Sequence, residues 1–254
     1  PNLFILCENQ TRYDYEDAHK IYKYNSAEEI LRIIMANYDI SANTPFFTFH
    51  KYTKSKIIGI SSPVGRCGKT SLSLSLGLKL SQNNSCLFIT FDECSPLRIS
   101  LFRKDLKSSS FADILYYFLQ SMDATDNRIL SCFQSFQGMD YIPPSEQLGT
   151  FSELTKEELY SFLVNIAALG KYDYIIIDLP PSLSLLTVNG MIASHYLLLP
   201  VQTEFYALEG VAQLLESMKL VMKQANPNLK LLGVLATMYD KRTSLSAQVY
   251  NEIK

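Results

Sequence analysis

From Lys56 onward, short apolar runs alternate with longer stretches in which apolar residues recur at helical spacing. The runs are Ile57–Ile60, Leu87–Phe91, Tyr174–Ile177, Tyr196–Leu199 and Leu231–Leu235. Each is strand-sized, and between them lie helix starts of the capping-box type, Ser110 with Asp113 and Thr155 with Glu158. Strands alternating with helices predict an α/β fold, a doubly wound parallel sheet with helices on both faces. One stretch gives two signals. Ser71–Leu76 alternates polar and apolar as a strand would, while Leu72, Leu76 and Leu80 share one helical face. No internal repeat or low-complexity tract interrupts the pattern.

Residues 1–40 are patterned differently. Leu3–Leu6 and His19–Lys23 read as short strands. Ser26 with Glu29 then caps a helix carrying Ile30, Leu31, Ile33 and Ile34. So short a segment cannot bury a core alone. With Lys23 at a strand end before an amphipathic helix, it resembles the last strands and helix of a response-regulator receiver domain. Tyr24 stands where that family has proline, and none of the receiver's phosphoacceptor carboxylates is present in the segment. We read residues 1–40 as a receiver-like remnant, 41–55 as a polar and aromatic linker, and 56–254 as the main domain.

Composition narrows the function. The 254 residues carry a formal net charge of −2, with Lys and Arg spread along the chain. That argues against a strongly basic nucleic-acid surface, although a small basic patch survives such averaging. The longest apolar run is far below the ~18–20 residues of a membrane span. Five cysteines without a CxxC pair argue against a zinc or disulfide framework and for a reducing cytoplasm. His19, His50 and His195 lie far apart and read as ordinary structural residues. The chain opens on Pro1 without a secretory leader pattern, and we expect the natural protein to have residues before it.

The candidate chemistry lies in Ser62–Thr70 (SPVGRCGKT), between an apolar strand and Ser71–Leu80. A polyphosphate needs converging backbone N–H groups, a helix N-terminus and a lysine for its outer charge. Gly65 and Gly68 let the backbone approach closely, Lys69 reaches the β- and γ-phosphates, and the Thr70 hydroxyl ligates Mg²⁺. The nucleotide set is therefore Val64, Gly65, Arg66, Cys67, Gly68, Lys69, Thr70 and Ser71. A phosphate loop requires a helix behind it, which decides Ser71–Leu80 as helix. Pro63 occupies the first glycine position of the full G-x-x-x-x-G-K-[ST] pattern, so the tripeptide Gly68–Thr70 carries the motif.

Further segments resemble the MinD/ParA ATPases. Tyr172–Ser182 (YDYIIIDLPPS) is an apolar strand ending in Asp178 and followed by a double proline, and it looks like their second nucleotide motif. Asp178 at a strand end would hold the Mg²⁺ shell. Leu199–Gly210 (LPVQTEFYALEG) and Gly233–Thr243 (GVLATMYDKRT) are similar to ParA partition proteins, and the resemblance puts Thr237 and Met238 near the adenine. Asp92 ends the strand after the loop helix, where the family has an aspartate that orients the attacking water; Glu93 is the neighbouring alternative. The amino half, through Ser62–Thr70, Thr90–Glu93 (TFDE) and Gly138–Pro144 (GMDYIPP), resembles the CpaE/TadZ pilus-assembly ATPases.

The resemblance implies an enzyme that binds ATP and Mg²⁺ and hydrolyses ATP slowly, as a switch for intracellular positioning. Asp92 and Lys69 would be its catalytic residues. The first expectation is positioning of a pilus or secretion assembly at a cell pole. The alternatives are ParA-like plasmid or chromosome partition along nonspecific DNA, and a nucleotide-binding scaffold that does not hydrolyse. Expected partners are a second copy in a nucleotide-dependent homodimer and an assembly-machine or partition protein. Two departures bear on that dimer. Val64 holds the place of the family's signature lysine, which reaches the partner's nucleotide, and Arg66 stands where glycine is common. Arg66 is the candidate stand-in cation; a solvated loop arginine is the alternative. The chain also ends at Lys254, before the last strand and helix that the family would have.

Overall fold

The computed structural model describes residues 3–7, 18–22, 54–92, 110–122, 124–125, 127–144, 149, 151, 154–181, 184–240 and 242–253. The helix expected after Ser26, the stretch 41–53 and Glu93 lie outside these residues. The chain divides into two units at Phe46/Phe47, inside the expected linker. Of the first unit, β1 (Leu3–Cys7) and β2 (Ala18–Tyr22) are described, and they pair in parallel.

The second unit is a seven-stranded sheet. Its strands are β3 (Lys56–Ile60), β4 (Cys86–Thr90), β5 (Gln134–Phe136), β6 (Met139–Tyr141), β7 (Tyr174–Asp178), β8 (Tyr196–Gln202) and β9 (Lys230–Thr237). They lie in the order β5-β6-β4-β7-β3-β8-β9. All neighbours are parallel except β5 and β6, which form a hairpin. Its two turn residues, Gln137 and Gly138, have φ of 50° and 84°. Positive φ at both positions matches the twist of a two-residue hairpin loop. At three residues each, β5 and β6 are too short to register as periodic segments in the sequence.

The described helices are α1 (Lys69–Leu80), α2 (Phe111–Ser121), α3 (Asn127–Cys132), α4 (Lys156–Ala168), α5 (Leu185–Ala193), α6 (Phe205–Gln224) and α7 (Ser244–Ile253). Both expected capping boxes form: Ser110 closes on Asp113 at α2, and Thr155 on Glu158 at α4. Strand side chains alternate between two cores. Ile57, Ile89, Ile175 and Leu197 point to the core shared with α2, α4, α5 and α6. Ile58, Ile60, Phe88 and Ile176 point to the core covered by α1. Helices thus lie on both faces, as a parallel sheet buried on two sides requires.

Helix α1 corrects one detail of the pattern. Its identity as helix is as expected, but Leu72, Leu76 and Leu80 are only half-buried. Its fully buried positions are Lys69, Ser73, Leu74 and Gly77. A Cβ at Gly77 would lie 2.5 Å from Met139 Sδ. At the closest approach to the sheet stand Ser73 and Gly77; Leu74 is buried beside them, and the half-buried Leu72, Leu76 and Leu80 pack against the same core.

Candidate functional site

Sheet register brings the site together. Across the three central strands, Ile60 pairs with Asp178 and Asp178 with Thr90. The phosphate loop follows β3, Asp178 ends β7, and Asp92 lies two residues beyond the end of β4. These carboxyl ends belong to the centre of a doubly wound sheet, where such folds form their crevice.

The loop's backbone has the freedom that close approach to a ligand requires. Gly68 stands at φ 79°, and a Cβ placed on it would meet nothing within 4 Å. No side chain caps α1, so its first N–H groups are left for a ligand. Arg66 also has positive φ, 63°, in the left-handed region that costs an L-residue about 1–2 kcal/mol. Its side chain is exposed, as is Val64 at 46 %. Cys67 is buried, Gly65 and Thr70 are half-buried, and Ser71 is exposed in the first turn of α1.

Two neighbours hold the loop. The Cβ position of Gly65 lies 3.8 Å from Pro181, in the double-proline segment after Asp178. A Cβ at Gly210, in α6, would lie 2.5 Å from Pro63 Cβ. Pro63, the residue that breaks the glycine pattern, thus packs where α6 has no side chain. The sequence shows both residues but not their contact, because 147 positions separate them.

Beneath the loop is a buried polar cluster. Lys69 Nζ donates to Asp178 Oδ1 at 2.8 Å, with Lys69 6 % and Asp178 0 % exposed. Ser73 Oγ lies 3.2 Å from the same oxygen but has a shorter acceptor for its one proton in the Lys69 carbonyl at 2.8 Å, and Thr90 Oγ1 donates to Asp178 Oδ2 at 3.2 Å. The structure therefore brings Lys69 and Asp178 into direct contact, which the sequence reading does not anticipate. That reading also misses Ser73 and Thr90. Their available signals are spacing: Ser73 lies one helical turn beyond Lys69, and Thr90 shares a strand face with Asp92. Asp92 is half-buried, and its N–H donates to Thr90 Oγ1 at 3.2 Å.

Thr237 and Met238 lie at the carboxyl end of β9, two strands from β3 and roughly 10 Å across the sheet. Thr237 Oγ1 is buried without a hydrogen-bond partner among the described residues, and Met238 is 61 % exposed. An orphaned hydroxyl at this end of the sheet, an uncapped helix start and an open cradle at Gly68 together fit a nucleotide. His195 has the structural role expected of it: its Nδ1 accepts the Ile57 N–H at 3.0 Å.

Comparison with known proteins agrees with this geometry. The model of the AAA domain family matches residues 55–231. The sporulation initiation inhibitor protein Soj of Bacillus subtilis is 37 % identical over 204 residues, covering 78 % of this chain and 79 % of Soj. The chromosome partitioning protein ParA of Caulobacter vibrioides is 34 % identical over 207 residues, covering 78 % and 75 %. Among solved structures, a Mycobacterium smegmatis protein described as cobyrinic acid a,c-diamide synthase, with bound ATP analogue and magnesium, superimposes with a TM-score of 0.66. It is 30 % identical over 78 % of this chain and 81 % of its own. A plasmid partition protein from Borrelia burgdorferi has a TM-score of 0.64 at 23 % identity, over 78 % and 84 % of the two chains, and shows the shared fold. Soj and ParA, matched over most of both chains, favour the ParA-like alternative over the pilus-positioning expectation, and none of these relatives is described as a pilus-assembly protein. The chain belongs to the MinD/ParA-type P-loop ATPases, on the side of ParA and Soj.

Proposed function

We propose that this protein is a ParA-like partition ATPase, binding ATP with Mg²⁺ at the loop of residues 64–71 and using hydrolysis as a switch in moving DNA. The observation that carries the reading is the 37 % identity to Soj across most of both chains. The buried Lys69–Asp178 contact beneath an uncapped helix start supports it.

In this reading each group has a distinct task. The N–H groups of residues 65–71 bind the phosphates, and the Gly68 conformation allows the backbone to approach them. Lys69 meets the outer phosphates, while Thr70 and Asp178 hold Mg²⁺, which when bound neutralises phosphate charge. Asp92 orients the attacking water, and Thr237 and Met238 contact the adenine. Asp92 acts by positioning, since phosphoryl transfer depends on geometry and charge stabilisation. Partner contact in an ATP-bound homodimer falls to Arg66, whose exposed guanidinium replaces the cation lost at Val64.

The test is DNA retention with and without Mg²⁺–ATP, in the parent and in Asp92→Ala. Partition function predicts ATP-dependent, salt-sensitive retention in the parent. It also predicts that Asp92→Ala binds ATP like the parent but hydrolyses it at least about a hundredfold more slowly. Retention that is indifferent to ATP refutes the partition reading. ATP binding without turnover in the parent favours the scaffold that Val64 suggests.

A further inference from the structure

We propose that Thr90 is a positioning residue that ties Asp92 to Asp178, so that whatever occupies the Asp178 carboxylate sets where Asp92 stands. The tie rests on this chain's own geometry; the tasks of the two carboxylates rest on the ATPase reading above.

Thr90 is the last residue of β4 and is 2 % exposed. Its hydroxyl donates to Asp178 Oδ2 at 3.2 Å and accepts the Asp92 N–H at 3.2 Å. One proton and two lone pairs allow both bonds at once. Valine has the same shape and can make neither. The residue between them is immobilised. Phe91 is 1 % exposed, packs on Phe111 and Phe151, and its N–H donates to the Asp178 carbonyl at 2.9 Å. The Thr90 hydroxyl acts on the backbone just beyond Phe91, at the Asp92 N–H.

Asp178 is loaded on both sides. Lys69 holds Oδ1, with Ser73 Oγ 3.2 Å away, and Thr90 holds Oδ2. At 3.2 Å, the Thr90 bond is longer than the ~2.5–2.7 Å of a tight hydroxyl–carboxylate hydrogen bond, which leaves it room to shorten. Hydrogen bonds in series polarise one another at low dielectric. A change of cation at Oδ1 therefore alters the acceptor strength at Oδ2, the Thr90 hydroxyl responds, and the Asp92 N–H follows it. Thr90 thus reports the state of the metal-supporting carboxylate to the water-orienting one.

Thr90→Val and Thr90→Ser in the full chain test this. Without nucleotide, the Asp92 amide in Thr90→Val should exchange with solvent about fivefold faster by NMR, the rate equivalent of one lost hydrogen bond, and Thr90→Ser should match the parent. With Mg²⁺–ATP, Thr90→Val should lose about tenfold or more in kcat while KM and nucleotide Kd stay within about threefold, and Thr90→Ser should recover kcat. Thermal unfolding confirms that both variants are folded. Parent-like Asp92 exchange in Thr90→Val, an affinity loss as large as the kcat loss, or failure of serine to rescue overturns the proposal. A parent that binds no Mg²⁺–ATP overturns the ATPase reading instead, and the exchange measurement still decides the tie.

Discussion

Removing the Lys69 ammonium should destabilise the nucleotide-free protein as well as weaken ATP binding. In the structure the lysine is not waiting in solvent. It lies 2.8 Å from a carboxylate of zero exposure and is itself 6 % exposed. Lys69→Met keeps the stem's packing and deletes the charge, leaving Asp178 with the Thr90 donor and with Ser73, whose proton would have to leave the residue-69 carbonyl to help. Breaking a buried pair from one side costs about 3–5 kcal/mol, and the remaining Thr90 donor puts the expectation toward the lower end of that range. Asp178→Asn should cost less, roughly 1–3 kcal/mol, because a freed lysine can extend toward water. The double variant carries no unpaired charge, so the cycle should show a coupling of about 1–3 kcal/mol. Urea unfolding at neutral pH measures all four proteins. Raising salt from about 0.1 M to about 1 M should leave the coupling nearly unchanged, because a buried pair is poorly screened. A Lys69→Met cost below about 1 kcal/mol, or additive single costs, refutes the reasoning. ATP affinity in Lys69→Met should fall sharply as well, and calorimetry separates that loss from the stability effect.

Gly210→Ala would put a methyl 2.5 Å from Pro63 Cβ, and the ring cannot swing away. Overpacking of this kind costs about 1–3 kcal/mol, and ATP affinity should drop with it; Pro63→Gly in the same chain should restore affinity. Failure of that rescue removes the contact from the account of the loop. Burial pushes the Cys86 thiol up to about 12, from 9.0. Between these values the unfolded chain loses a proton that the folded chain keeps, so stability falls as pH rises through that window. Cys86→Ala should flatten the decline by up to about 1.4 kcal/mol per pH unit, read from urea midpoints at successive pH values. Arg66→Gly relieves a left-handed residue and should leave stability unchanged or higher by about 1 kcal/mol or less, in a denaturant titration. A clear loss of stability would mean that the Arg66 side chain makes a contact that outweighs its strain.

The alternation of strand and helix, and with it the parallel sheet, is legible in the residues themselves. Apolar runs such as Tyr174–Ile177 can be buried only between two layers, and Ser110 and Thr155 carry their helix starts in their own capping partners. The phosphate loop is legible there too, because Gly68, Lys69 and Thr70 are adjacent and their chemistry is local. Tertiary structure alone decided what depends on distant pairs. The Thr90–Asp178 contact follows from the register of β4 against β7 across 88 positions. The Pro63–Gly210 packing follows from where α6 returns to the sheet. The inward face of α1 was decided in the same way. Leucine spacing nominates Leu72, Leu76 and Leu80, yet Ser73 and Gly77 stand at the closest approach to the sheet, and the leucines are half-buried against the same core. Periodicity records which residues avoid water, whereas the distance between layers decides which of them fit against the neighbour, and that distance is a property of the packed molecule.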